Sequence, residues 1–96
     1  MNKLTIIAHI TAHAGKGEFL KRELEKLLVP TRKEPGCLQY DLHQDNKNAE
    51  HFMFCESWES RETWQVHMAA QPLQDYLKAV EGAVEDFTLY EMSHIG

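Results

Sequence analysis

Cys37-Leu38-Gln39-Tyr40-Asp41-Leu42-His43-Gln44 and Glu50-His51-Phe52-Met53-Phe54-Cys55-Glu56-Ser57-Trp58 decide the fold, with Asp45-Asn46-Lys47-Asn48 between them. Two strand-like runs flank consecutive turn formers, which predicts an antiparallel hairpin. In the second run Phe52, Phe54, Glu56 and Trp58 share one face, because strand side chains alternate. In the first run the same parity groups Leu38, Tyr40 and Leu42. The hairpin places Cys37 near the far end of the second run and Cys55 opposite the middle of the first. Their separation exceeds the roughly 4.4–6.8 Å between Cα atoms that a disulfide needs, so both read as reduced. Two cysteines are also too few for a disulfide framework, and their spacing suits no metal.

Upstream, Leu4-Thr5-Ile6-Ile7-Ala8-His9-Ile10-Thr11-Ala12 is rich in β-branched residues and nearly alternating. Leu4, Ile6, Ala8, Ile10 and Ala12 fall on one face, and Thr5, Ile7, His9 and Thr11 on the other. The second face is still partly apolar, as in a central strand covered on both sides. Gly15 and Gly17 mark a turn. Phe19, Leu20, Leu24, Leu27 and Leu28 then recur at helical spacing, Pro30 kinks or ends the helix, and Pro35-Gly36 stops it.

Downstream, Ser60 is a plausible N-cap for a helix with Trp64, His67 and Met68 on one face. Gln71-Pro72 interrupts it. A second short helix carries Leu73, Tyr76, Leu77 and Val80 and ends at Gly82. Val84 to Met92 reads as a fourth strand. The order β-α-β-β-α-β defines an α+β, ferredoxin-like sandwich, with residues 1–96 forming one domain. Its helices cover one sheet face. The apolar residues on the other face predict a homodimer in which a second copy covers it.

Composition narrows the function. The chain has 96 residues, 43% hydrophobic and 26% charged, with a formal net charge of -5. A domain this short buries only about 60–70% of its unfolded surface, so a partner subunit would help to complete the core. The acidic balance and the sequence pI of about 5.6 argue against nucleic acid and anionic membranes as partners. No apolar run spans a bilayer, and Met1-Asn2-Lys3 leads into the first strand without an h-region, so the expected location is cytoplasmic.

Phosphate loops, H-E-x-x-H, CxxC and nucleophile elbows are missing from the sequence. His9 and His13 would lie roughly 13 Å apart along a strand and cannot share a zinc. His43 and His51 approach across the hairpin without a third ligand, so no metal site is expected. Glu56 among three aromatics is either a paired, solvated carboxylate or a desolvated acid of raised pKa. His67 is either a hydrogen-bonded core residue or the one inward helical group that exchanges a proton near neutral pH. Tyr40 reads as a core aromatic or a substrate contact. His9 faces a partner subunit or a helix-covered cavity, depending on which face of its strand packs under the helices.

Glu34-Pro35-Gly36-Cys37-Leu38-Gln39-Tyr40, Glu56-Ser57-Trp58-Glu59-Ser60, His67 and Pro72 together resemble the antibiotic biosynthesis monooxygenase (ABM) superfamily. The resemblance covers nearly the whole chain. It implies a dimeric α+β barrel of ferredoxin-like protomers. It also implies oxidation of quinol- or anthrone-like aromatics by O₂ as co-substrate, without flavin, metal or haem. Haem-degrading relatives carry an Asn, a Trp and a His where the nearest residues here are His9 or Ile10, His67 and Leu77, so the haem set is not reproduced. Many relatives also have a His directly after the helix-breaking Pro; here that position is Leu73.

The leading expectation is therefore a cofactor-independent monooxygenase acting on a small phenolic, quinol or anthrone-like aromatic. His67 is the expected base, Glu56 a second acid–base group or the orienter of His67, and Trp58, Phe54, Tyr40 and His9 the substrate contacts. The alternative is a non-oxidative isomerase or ligand-binding module, including one that processes a phosphorylated signal sugar. That alternative needs a cation in the pocket, for which Arg32, Lys33 and Arg61 are the candidates. A third reading is an interaction protein with a vestigial pocket.

Overall fold

The computed structural model describes residues 3–96; Met1 and Asn2, part of the expected lead into the first strand, lie outside them. The elements are β1 (Leu4–Ala12), α1 (Gly17–Glu25), α2 (Leu28–Arg32), β2 (Cys37–Gln44), β3 (His51–Trp58), α3 (Arg61–Ala69), α4 (Gln71–Ala79) and β4 (Val84–Met92). The strands form one antiparallel sheet in the order β2-β3-β1-β4. This is the expected ferredoxin-like α+β fold.

Alternation in β1 settles which face is inside. Leu4, Ile6, Ala8, Ile10 and Ala12 are all buried, whereas Thr5, Ile7, His9 and Thr11 are half-buried. The inner row packs with Phe52, Phe54 and Trp58 of β3 and with Leu20, Leu24 and Leu27 from the first helical segment. Among the described residues, no helix covers the outer face.

Three local features depart from the periodic pattern. The first helix breaks at Lys26–Leu27, upstream of Pro30, and resumes as α2. Proline has no N–H for the carbonyl four residues earlier, and its ring crowds that carbonyl, so the break falls at Lys26. Pro30 itself then sits in the first turn of α2, where a missing N–H is tolerated. In β2 the pairing register shifts between Cys37 and Gln39. This bulge turns Leu38 out to half exposure, while Tyr40 stays at 2% exposure. Leu38 therefore does not share the inner face with Tyr40 and Leu42. Finally, Phe19 is exposed on the outer side of α1, away from the buried Leu20 and Leu24.

A cavity of about 390 Å³ lies between the inner sheet face and the helices. Its floor includes Ala8 and Ile10 of β1, Phe54 and Glu56 of β3, and Phe87 and Leu89 of β4. Leu24, Leu27, Trp64, His67, Leu73 and Tyr76 contribute from the helical side. The third reading from the sequence required that no such cavity exist.

Candidate functional site

The polar end of the cavity is assembled by two local devices. The first is the N-terminus of α3. Ser60 is extended, its side chain accepts from the Thr63 N–H, and the Thr63 hydroxyl in turn accepts from the Ser60 N–H. This capping box fixes where α3 starts, so that Trp64 and His67, three residues apart, both face the sheet. The second device is the turn Glu34-Pro35-Gly36. Gly36 has φ +83 and lies so close to α3 that a Cβ there would stand 2.5 Å from Thr63 Cβ. Thr63 and His67 are successive turns of one helix face, so a chain seated against Thr63 brings Glu34 to His67.

That meeting is the central contact of the site. His67 Nδ1 lies 2.8 Å from Glu34 Oε1. His67 is 2% exposed. Nδ1–H donates to the carboxylate, which leaves Nε2 as the basic nitrogen, with no hydrogen-bond partner among the described residues. The imidazole is stacked on Trp58, with centroids 4.8 Å apart, and meets Tyr40 edge-on at 5.6 Å. Burial pushes its pKa below the ordinary histidine value, and the Glu34 carboxylate pulls in the other direction. The neutral ring is thus the resting form at neutral pH.

Glu56 is the second acid–base group. It is 5% exposed and accepts a 2.9 Å hydrogen bond from Trp58 Nε1. Burial raises its pKa to about 7; the Trp58 bond opposes the rise and the nearby Glu34 charge adds to it. Of the two environments open to Glu56 from the sequence, the desolvated one is correct. Its carboxylate is held by Trp58, and the group that holds His67 is Glu34, so the orienting role suggested for Glu56 passes to Glu34. Sequence reasoning missed Glu34 as a site residue, although the Glu34-Pro35-Gly36 turn was the available signal.

Of the expected substrate contacts, Tyr40 and Phe54 line the cavity and stack on each other at 4.5 Å. Burial, followed by the charge of Glu56, raises the pKa of the Tyr40 hydroxyl. Burial likewise pushes Tyr76, opposite on α4, up to about 12. Trp58 is fully buried behind Glu56 and His67 and is not among the cavity-lining residues, so it supports the site from below. His9 lies on the outer sheet face and not in the cavity, because its alternate neighbours Ala8 and Ile10 take the inner side. There it stacks on His51 with centroids 5.0 Å apart. His51 is therefore brought to His9 across β1 and β3, while across the hairpin the register sets His43 opposite Met53 and not opposite His51. Among the described residues, no group of three or more His, Cys, Asp or Glu side chains could hold a metal ion.

The candidate cations are occupied elsewhere or stand clear of the cavity. Arg32 donates from Nε and Nη2 to the Tyr40 carbonyl at 3.1 and 2.9 Å. Arg61 pairs with Glu91. Lys33 is exposed and does not line the cavity. Among the described residues, no helix is long and apolar enough to cross a membrane.

A solved structure of PA3566 from Pseudomonas aeruginosa is 33% identical, superposes with a TM-score of 0.95, and is matched over 100% of this chain and 97% of its own. A solved structure described as an antibiotic biosynthesis monooxygenase is 28% identical, with a TM-score of 0.90 over 97% of this chain and 99% of its own. The uncharacterized protein sll1783 from Synechocystis is 27% identical over 75 residues, which are 78% of this chain. The match spans only about half of that curated relative, 51% of its length. The family model for antibiotic biosynthesis monooxygenase matches residues 3–81, and the chain belongs to that family.

Proposed function

We propose that this protein is a cofactor-independent monooxygenase that oxidises a small phenolic, quinol or anthrone-like aromatic with O₂. One observation carries the reading: a buried, neutral His67 on the wall of an aromatic cavity, with Nδ1 held by Glu34 and Nε2 left without a protein partner. A base held this way removes a proton from a ring hydroxyl or an activated ring C–H, and Glu34 stabilises the imidazolium that forms. The resulting anion is electron-rich and transfers one electron to O₂. Recombination of the radical pair forms a C–O bond, and the peroxide takes back the proton. Loss of water then leaves a new carbonyl. For an anthrone-type methylene, one oxygen atom enters the substrate and the other leaves as water with the two methylene hydrogens. The substrate supplies all the electrons, and the apolar walls shield the anion from bulk water.

Tyr40 and Phe54 hold the ring, and Glu56 is a second proton-exchanging group at the same end. The phosphorylated-sugar alternative lacks support, since no Lys or Arg among the described residues lines the cavity. The working unit is a homodimer joined through the outer sheet face, a reading supported by the half-buried Ile7, Met53 and Cys55 there.

Oxygen uptake by metal-free protein with a panel of hydroquinones and anthrones tests the reading. The expected result is a rate above autoxidation that falls by about a hundredfold or more in His67→Ala, the usual range for loss of a general base. The rate should climb with pH as His67 loses its proton, at a midpoint below that of an ordinary histidine. No rate above autoxidation, or an unchanged rate in His67→Ala, overturns it.

A further inference from the structure

The shape of the cavity floor is set by one small side chain. Ala8 is in register with Phe54 of β3 on one side and with Leu89 of β4 on the other, and all three line the cavity. The row continues to Leu42 of β2, which is paired with Phe54. Every other member of this row is large, so the floor drops at Ala8, in the middle strand of the three that carry lining residues on that row. Neighbouring strands are about 4.8 Å apart, so the floor from Tyr40 on β2 to Leu89 on β4 crosses three spacings, about 14 Å. That length accommodates a fused-ring system lying across β1 and exceeds the need of a single ring.

The charges along this slot have one sign. Glu56 stands at the inner end, and Glu81 lines the opening beside the half-exposed Leu77 and Phe87. No Lys or Arg among the described residues offsets them. An anionic ligand therefore gives up its hydration to pass the Glu81 carboxylate at the opening and raises the cost of ionising Glu56 at the buried inner end, whereas a neutral ring does neither.

We propose that Ala8 is the specificity-determining position of this cavity: it seats a flat, uncharged, fused-ring ligand across β1, and Glu56 and Glu81 turn away anionic forms of the same ring. The proposal rests on the reading above that the cavity is the substrate site, and it is tested by binding alone, without turnover. Calorimetric titration would compare naphthol, naphtholsulfonate and phenol with the unaltered protein, Ala8→Val and Ala8→Phe. Naphthol is expected to bind at least about tenfold more tightly than the sulfonate, a difference of about 1.4 kcal/mol. Ala8→Phe should weaken naphthol by about tenfold or more and change phenol far less. Ala8→Val, a mild and strand-compatible change, should give an intermediate loss and serves if the phenylalanine variant does not fold. Equal affinity for naphthol and its sulfonate, no binding of naphthol, or naphthol affinity unaltered in the folded Ala8 variants overturns the proposal. Oxygen uptake with dihydroxynaphthalene is read separately. Size and charge discrimination without uptake would sink the oxidative reading and leave Ala8 as the specificity position.

Discussion

Glu56 ties the chemistry of the site to the stability of the protein. Its pKa rises from 4.5 to about 7 on folding, so the native state keeps a proton that the unfolded chain releases within that window. Stability linked to Glu56 is complete below the unfolded pKa and falls as pH rises through the folded one, reaching a deficit of about 3 kcal/mol above it. His67 has the opposite sign: its lowered pKa costs stability as pH falls below the unfolded value. Glu56→Gln keeps an acceptor for Trp58 Nε1 and removes the charge. Urea denaturation across the range should show this variant gaining up to about 3 kcal/mol over the unaltered protein near pH 8, with the gain gone near pH 4. A pH-independent difference would contradict the buried-acid assignment. Two glycines supply a second comparison. Gly36 and Gly82 share a positive φ, at +83 and +84, but a Cβ on Gly82 meets nothing, whereas one on Gly36 strikes Thr63. Gly82→Ala should cost about 1–2 kcal/mol from backbone strain alone. Gly36→Ala should cost clearly more and should weaken the Glu34–His67 contact, seen as a shift in the His67 titration by NMR.

At the scale of elements, the site depends on how helices begin and break. The Ser60 N-cap was legible, because Ser before a helical run is a local signal; the reciprocal bond from Thr63 that makes it a capping box came with the structure. Ser60→Ala should cost about 1 kcal/mol in chemical denaturation. It should also lower turnover more than this small loss implies, since α3 carries His67. A proportionate effect on both would mean that α3 is held by packing alone. The interruption near Pro30 was legible as well, but its position was not. The carbonyl that proline cannot serve lies four residues upstream, so the break moves to Lys26. The β2 bulge left no trace in the alternation of Leu38, Tyr40 and Leu42, because a bulge inserts a residue into one strand only and shows itself in the pairing.

At the scale of the whole molecule, the outer sheet face joins polar and apolar side chains. His51 Nδ1 donates to Asp45 at 3.1 Å, and its Nε2 faces His9 Nδ1 at 2.9 Å, beside the edge of Tyr90. The Lys47 backbone N–H, then His51, holds the Asp45 carboxyl below its usual pKa. These polar groups share the face with Ile7, Met53 and Cys55, a mixed surface of the kind that pairs copies. Light scattering at micromolar concentration should give twice the 11.1 kDa chain mass. Ile7→Lys should reduce it to one chain with the circular dichroism spectrum retained. A single-chain mass for the unaltered protein would defeat the dimer.

The sequence by itself determined the element order, which residues share a face in β1 and in β3, the cap of α3 and the helix face that Trp64 shares with His67. All of these follow from local periodicity and turn chemistry, which act over a few residues. Only the tertiary structure decided which face of β1 lies under the helices, and hence that His9 is outside the cavity and Ala8 inside. It also decided that Glu34, 33 residues from His67, orients the imidazole. Both depend on strand order and on the approach of a turn to a distant helix, neither of which leaves a periodic mark in the chain. The burial that raises the pKa of Glu56 is of the same kind. A carboxylate among aromatics reads alike whether solvated or enclosed, and only the packing of α3 over β3 removes the water.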